Sequence, residues 1–272
     1  FSLYDKDHGY YVKKNPFGKE GDFITAPNIS RLFSETLAIW IISFWQSLGS
    51  PKKFNLIELG AGNGEMMKII IESFKNFPTF FKTCNFIIHE KSPLLKNLQK
   101  KKLIKTEIEW ITKISKIDKN PCIFIANEFF DALAIKQFEK KNDIWFEKFV
   151  NFKSPGKAFF FEQKADIEKI EKKINYKISK NQKFIEYSEL GLNYLREISK
   201  IICKNKGGLL LIDYGSSYKN MKNTLRGISK HKFVNILDNI GSTDITHDIN
   251  FHFFKKYTEN LGELKINFTT QK

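Results

Sequence analysis

Between Phe54 and Phe74 the spacing of apolar positions changes period once, and that change sets the element order of the chain. Phe54, Leu56, Ile57 and Leu59 make an apolar run of strand length, Gly60, Gly62 and Gly64 interrupt it, and Met66, Met67, Ile69, Ile70, Ile71 and Phe74 follow at helical spacing. Strand, glycine turn and helix are predicted. The pattern then repeats. Asn85 to Glu90 (NFIIHE) reads as a second strand, with Ser92 capping and Pro93 opening a basic helix. Residues 106–110 (TEIEW) read as a third strand, PCIFIAN as a fourth, and LLLIDYG, after a helix from Ser188 to Cys203 and the pair Gly207 and Gly208, as a fifth. Strands alternating with helices predict an α/β fold with a parallel sheet.

Two stretches depart from this rhythm. From Lys136 to Phe161 short aromatic-rich runs are broken by KND and SPGK, which are hairpin signals, and the lysine-rich helical pattern ADIEKIEKKI follows. Residues 136–183 are therefore expected to be a β-rich insertion between the fourth and fifth core strands. The first 30 residues are rich in aromatics, Gly, Pro and Asp without a sustained period, and lead to a helix capped near Ser30 and running from Leu32 to about Leu48. Gly18, Gly21, Asp22, Phe23, Thr25 and Pro27 read either as a lid over the glycine turn or as a packing arm. The expected division is 1–53 (lid and packing helix), 54–135 (cofactor-binding core), 136–183 (insertion) and 184–272 (the rest of the core). The longest apolar stretch, Leu37 to Trp45, falls short of the roughly 20 residues a membrane span needs.

Charge changes this picture little. The formal net charge is +15, which points to an anionic partner, but only Arg31, Arg196 and Arg226 are arginines, so 45 minus 3 leaves 42 lysines scattered along the chain. Base readout leans on arginine, so nucleic acid is not the expected partner. Cys84, Cys122 and Cys203 have no metal-ligand spacing and fit buried thiols; no metal is expected. Phe1 in place of Met, and TTQK without a closing turn, read as a chain trimmed at both ends.

The glycine turn carries the first chemistry. It reads G-x-G-x-G rather than the dinucleotide fingerprint G-x-G-x-x-G, and Glu58 and Glu65 flank it. A pyrophosphate would meet two negative charges there, whereas a ligand with an ammonium and a sulfonium would be attracted. S-adenosyl-L-methionine fits, with Glu58, Gly60, Ala61, Gly62 and Gly64 around it; a turn that binds nothing is the alternative. Glu90, 26 residues beyond Gly64, can accept hydrogen bonds from ribose hydroxyls. Trp110 sits near an adenine edge or in the core. At the end of the fourth strand Asn127, Glu128 and Asp131 stand where open α/β sheets bind ligands. Methyltransferases of nucleobase amino groups place Asn or Asp, two prolines and an aromatic there; Glu128 and Phe129 replace the prolines. A guanidinium needs carboxylates as a neutral amine does not, so Glu128 with Asp131 suits an arginine, the alternative being helix capping by Asn127 and Asp131. Asp213 and Tyr214 face the same crevice, and His247 beside Asp248 reads as structural more than catalytic.

Taken together, GYYVKKNPFGKEGDFITAPNIS, IELGAGNGEMM, IIHEKSPLLKNLQ, IANEFFDALAIKQF, LLLIDYG and TLRGISKHKF…GSTDIT, in that order, resemble the MidA-type S-adenosylmethionine-dependent methyltransferases over nearly the whole chain. That resemblance implies a seven-strand Rossmann-like sheet with helices on both faces, S-adenosylmethionine held by Glu58, Gly60, Gly62, Gly64 and Glu90, and Asn127 and Glu128 beside the transferred methyl. The family includes mitochondrial complex I assembly factors that methylate an arginine of a complex I subunit, so it implies a protein substrate, in the mitochondrial matrix for an organellar chain and in the cytoplasm for a bacterial one. The chain departs from it at Ala134, where Pro is usual, and at Asp244 to Phe251, where His247 is displaced by one place from the usual histidine. A nucleic-acid methyltransferase and a non-catalytic assembly chaperone on the same scaffold are the other readings, and oligomeric state is left open.

Overall fold

All six residues of Phe54–Leu59 are buried without alternation, the mark of a strand covered on both faces. The computed structural model describes residues 2, 3, 5, 7–13, 26–154, 157–229, 232–262 and 264–270. In chain order, the short helices α1 (Tyr10–Lys13) and α2 (Ala26–Ile29) precede the long α3 (Arg31–Ser47). Then come β1 (Phe54–Leu59), α4 (Glu65–Phe74), α5 (Pro78–Phe81), β2 (Cys84–His89), α6 (Pro93–Lys102), β3 (Ile108–Ile111) and β4 (Cys122–Asn127). Strands β5 (Lys136–Lys141), β6 (Ile144–Ser154) and β7 (Lys157–Lys164), helix α7 (Ile167–Ile174) and β8 (Phe184–Tyr187) follow, and α8 (Glu189–Asn205) leads into β9 (Gly207–Ile212). The last elements are β10 (Gly215–Ser216), β11 (Arg226–Ser229), β12 (Lys232–Val234), β13 (Asp244–Thr246), β14 (Ile249–Asn250) and α9 (Phe251–Glu259).

The central sheet is parallel, in the order β3-β2-β1-β4-β9. From β1 the chain winds outward to β2 and β3, then returns to β4 on the other side, so the strand order reverses between β1 and β4. A ligand crevice opens outside the carboxyl ends of such a pair. Side-chain alternation along the strands divides the core. Phe54, Leu56, Ile123 and Ile125 pack with Ile41 of α3 and Met67 and Phe74 of α4. Ile57, Leu59, Phe124 and Ala126 pack on the opposite face with Leu192 and Ile198 of α8 and Tyr257 of α9.

The described residues give five central strands where seven were expected. After β9 the chain does not add to its edge: β10 pairs with β14, and β11 pairs with β12 and β13 in a separate antiparallel sheet. Residues 136–187 build a four-stranded antiparallel sheet, β7-β6-β5-β8. Its entry and exit strands pair, Lys136 opposite Tyr187, so the excursion closes at its base before α8. Phe138, Trp145 and Ile185 join the same core as α8. Ser92 and Ser188 cap α6 and α8 by accepting from the N–H of Leu95 and of Gly191. Ser30 occupies the cap position of α3, but its hydroxyl makes no cap bond.

Gly207 fixes the seam between β4 and β9. Its φ is +153°, and a Cβ there would lie 2.0 Å from the Cys122 carbonyl oxygen. Gly207→Ala must push the two strands apart, at an expected cost of about 3 kcal/mol. Urea unfolding should give a lower midpoint with an unchanged slope; an unchanged midpoint would mean that the seam tolerates a side chain.

Candidate active site

The turn after β1 is built from backbone in the left-handed region: φ is +66° at Gly60, +52° at Gly62 and +79° at Gly64. The Gly60 N–H donates to His89 O (3.0 Å) and the Gly64 N–H to Ala61 O (2.7 Å). A Cβ on Gly60 would stand 2.8 Å from the Phe129 ring, so the first glycine is required by the neighbouring β4 turn. Both turns open onto one cavity of about 450 Å³. Glu58, Gly60, Ala61, Gly62, Glu65, Glu90, Asn127, Glu128, Asp131, Tyr214 and Pro27 all line it.

Among the described residues Glu58 Oε2 and Asn127 Oδ1 are buried without a hydrogen-bond partner. Burial, then the charge of Glu90, pushes Glu58 up to about 8. Glu90 is better provided: Oε1 accepts from the Ser92 N–H (2.8 Å) and Oε2 from Gln99 Nε2 (3.0 Å), while burial still raises it. Gln99 ties this end together, donating also to Gly62 O (2.9 Å) and accepting from Trp110 Nε1 (3.0 Å). Trp110 is thus held behind Gln99 and is not among the lining residues. Lys102 Nζ pairs with Glu65 at 2.5 Å, so that charge is largely answered within the chain.

At the end of β4 the backbone is strained. Glu128 has φ +49°, left-handed for a residue with a Cβ, at a cost of about 1–2 kcal/mol. Its N–H donates to Ile212 O (2.8 Å), which aims the side chain into the cavity wall. Burial, then the charge of Asp131, raises its carboxyl to about 7, against the Ala26 N–H and the Asn127 amide. Asp131 is buried, with Oδ2 accepting from Thr246 Oγ1 (2.8 Å) and Oδ1 without a partner among the described residues. Burial raises it too. No helix follows for Asn127 or Asp131 to cap.

Asp213 departs from expectation. It is not among the lining residues; its Oδ2 accepts from the N–H groups of Phe130 (3.0 Å) and Asp131 (3.2 Å), and its Oδ1 from that of Tyr214 (2.9 Å). The turn leaves those donors without a helix or strand partner, and buried donors need an acceptor. Asp213 braces the turn from beneath. Burial, then the charge of Asp131, raises it well above the usual range. Tyr214 does line the cavity, and Glu128 is the foremost cause of its raised hydroxyl pKa. His247 is buried behind the wall, its N–H on Asp131 O (3.1 Å). Of the expected lid residues, Gly18, Gly21, Asp22, Phe23 and Thr25 lie outside the described residues.

One wall was missed in the sequence. In the β12-β11-β13 sheet Phe233 pairs with Ile228 and Ile228 with Asp244, while Arg226 pairs with Thr246 two places along, and all five side chains line the cavity. Alternation in RGI and DIT is its only trace, too short to register as a strand face. Arg226 Nη1 holds Asp248 at 2.6 Å. Tyr11 joins the two ends of the site, its hydroxyl donating to Asp244 (2.9 Å) and its carbonyl accepting from Ser92 Oγ (2.8 Å). His89 Nε2 meets Tyr194 Oη at 2.7 Å, and burial, then Lys91, lowers its pKa to about 4.

Comparison with known proteins agrees with this geometry. A Xenopus tropicalis protein named protein arginine methyltransferase NDUFAF7, mitochondrial, is 28% identical over 91% of this chain and 63% of its own length. The human protein of that name is 27% identical over 94% of this chain and 64% of its own. The chain thus spans a little under two thirds of these relatives. The fold matches a Burkholderia thailandensis COG1565 superfamily member crystallised with S-adenosyl-homocysteine, with TM-score 0.77 and 19% identity over 96% of this chain and 70% of that one. A family model described as "Putative S-adenosyl-L-methionine-dependent methyltransferase" matches residues 36–269, and the chain belongs to that family.

Proposed function

We propose that this chain is an S-adenosyl-L-methionine-dependent methyltransferase that modifies an arginine side chain of a protein. The observation that carries the reading is the convergence, on one cavity, of the glycine turn with the part-buried carboxyl of Glu128 and the buried one of Asp131. The arginine methyltransferase names of the relatives support it. The cofactor suits the donor set: the unpaired acceptors Glu58 Oε2 and Asn127 Oδ1 would take an ammonium, and Glu90 keeps lone pairs for ribose hydroxyls. The volume falls within the about 300–1,000 Å³ of small-molecule sites. When bound, the cofactor supplies an electrophilic methyl group on a positively charged sulfur.

The chain's own part is positioning and charge. Glu128 and Asp131 hold the guanidinium and fix the direction of its attacking nitrogen, and Glu128 accepts the proton that nitrogen sheds. Asp213 keeps both in place through the backbone of the turn. An acidic wall opposes a phosphate-bearing substrate. The narrower target, a respiratory complex I subunit, rests on the motif resemblance, and the mitochondrial names of the relatives support a matrix setting for an organellar chain. The finer seven-strand sheet would need two more strands on the edge of β9, whose Leu209, Leu210, Leu211 and Ile212 are only half-buried.

Glu128→Gln should keep S-adenosylmethionine affinity, read by calorimetry, while transfer to a protein substrate falls about 100-fold or more. Normal turnover in that variant removes Glu128 from the chemistry. In the parent chain kcat/KM should fall as pH drops through about 7, where Glu128 takes up a proton and loses its hold on the cation. Glu58 gives a second expectation. Folded, it keeps its proton up to about 8, whereas unfolded it releases it near 4.5. Ligand-free stability should therefore decline as pH rises across that window, by on the order of 4 kcal/mol, and Glu58→Gln should flatten the decline. Denaturation curves with the same pH slope in both chains would show that Glu58 is solvated.

A further inference from the structure

The wall supplied by the β12-β11-β13 sheet changes character along one row, from Phe233 through Ile228 to Asp244. Cross-strand partners share a face, so the change is continuous along the wall. At the mouth, three large apolar side chains both line the cavity and meet solvent: Leu190 is 38% exposed, Tyr214 57% and Phe233 79%. One exposed apolar residue is ordinary, but three around one opening mark a contact surface. Asp244, at the far end of that row, is buried, and Glu128 and Asp131 of the β4 turn line the same cavity, so its interior is acidic.

Resting on the arginine reading above, we infer that the target is an arginine whose neighbour in the substrate chain is a large apolar residue, packed on Phe233 and Tyr214 while the guanidinium reaches Glu128 and Asp131. The occupant follows from continuity and charge. The apolar rim runs directly into the acidic wall, so one segment must satisfy both, with a cation inside and an apolar side chain at the lip. An acidic neighbour would be desolvated against the apolar lip of Phe233 and Tyr214 and is disfavoured. A polyphosphate backbone would carry its charge toward Glu128 and Asp131 and is disfavoured too.

The experiment measures binding of dye-labelled, end-blocked heptapeptides to the full chain loaded with S-adenosyl-homocysteine, whose own binding is measured first by calorimetry. The peptides are glycine-rich with Phe-Arg, Ala-Arg or Phe-Lys at the centre, and an oligouridine strand is the fourth probe. Phe-Arg should bind roughly tenfold more tightly than Ala-Arg, and Phe233→Ala or Tyr214→Ala should erase the difference. Equal binding of Phe-Arg and Ala-Arg overturns the inference and leaves the arginine reading standing. Equal binding of Phe-Arg and Phe-Lys, both ahead of Ala-Arg, keeps the apolar rim and removes the arginine reading. No peptide binding to the loaded chain, or oligouridine binding that Phe233→Ala abolishes, overturns the inference outright.

Discussion

The parallel pairing of β1 with β4 decides where chemistry can occur in this molecule. Leu59 sits opposite Ala126, so the chain leaves the sheet at Gly60 and at Asn127 side by side. Neither turn can be built without the other: Phe129 covers Gly60, and a side chain on that glycine would collide with it. β9 completes the arrangement, since Asn127 lies opposite Ile212 and the next residue, Asp213, is thereby delivered beneath the β4 turn. Three neighbouring strand ends thus supply the glycine turn, the paired carboxylates and their brace.

This arrangement is held against local cost. Glu128 keeps a left-handed backbone, and Glu58, Glu128, Asp131 and Asp213 are carboxyls that burial makes reluctant to ionise. Residues strained in these ways cluster at functional sites because the surrounding structure over-determines them. Here the surroundings are two apolar layers, one on each face of the sheet, that fix the strand ends whatever the turns contain. A groove lined mainly by Leu and Ile would be easier to fold and would have nothing with which to orient a cation.

Much of this was legible in the sequence, for a physical reason. The five strand runs, the glycine turn and the cap at Ser92 are local signals, each written in adjacent residues, and the structure contains all of them, whereas Ser30, also expected to cap, makes no cap bond. Glu90 and Glu128 were identifiable because a charged residue at the end of an apolar strand has few other places to be. What escaped was long-range. Gln99 is one polar residue in a lysine-rich helix with no local mark of its role, yet it joins Gly62, Glu90 and Trp110. Asp213 looked like a second crevice residue because its position on the strand is right; only the orphaned N–H groups of a turn 82 and 83 residues away explain its direction. The three-residue strands β12 and β13 carry too little pattern to announce a face, and the family's seven strands pointed to a wider sheet than the described residues form.

The separation of charge has a kinetic consequence. The chain as a whole carries +15, while among the described residues six acidic side chains, able to ionise beside a cation, line the cavity against two basic ones, Lys91 and Arg226. A cationic molecule approaching from afar is repelled by the lysine-covered exterior and attracted only once it is near the opening. Dissolved ions damp the first force sooner than the second, because the Debye length of about 8 Å at physiological ionic strength is short against the size of the molecule and long against the contacts inside the cavity. Moderate salt should therefore quicken capture of a positively charged substrate, the reverse of the usual behaviour for oppositely charged partners.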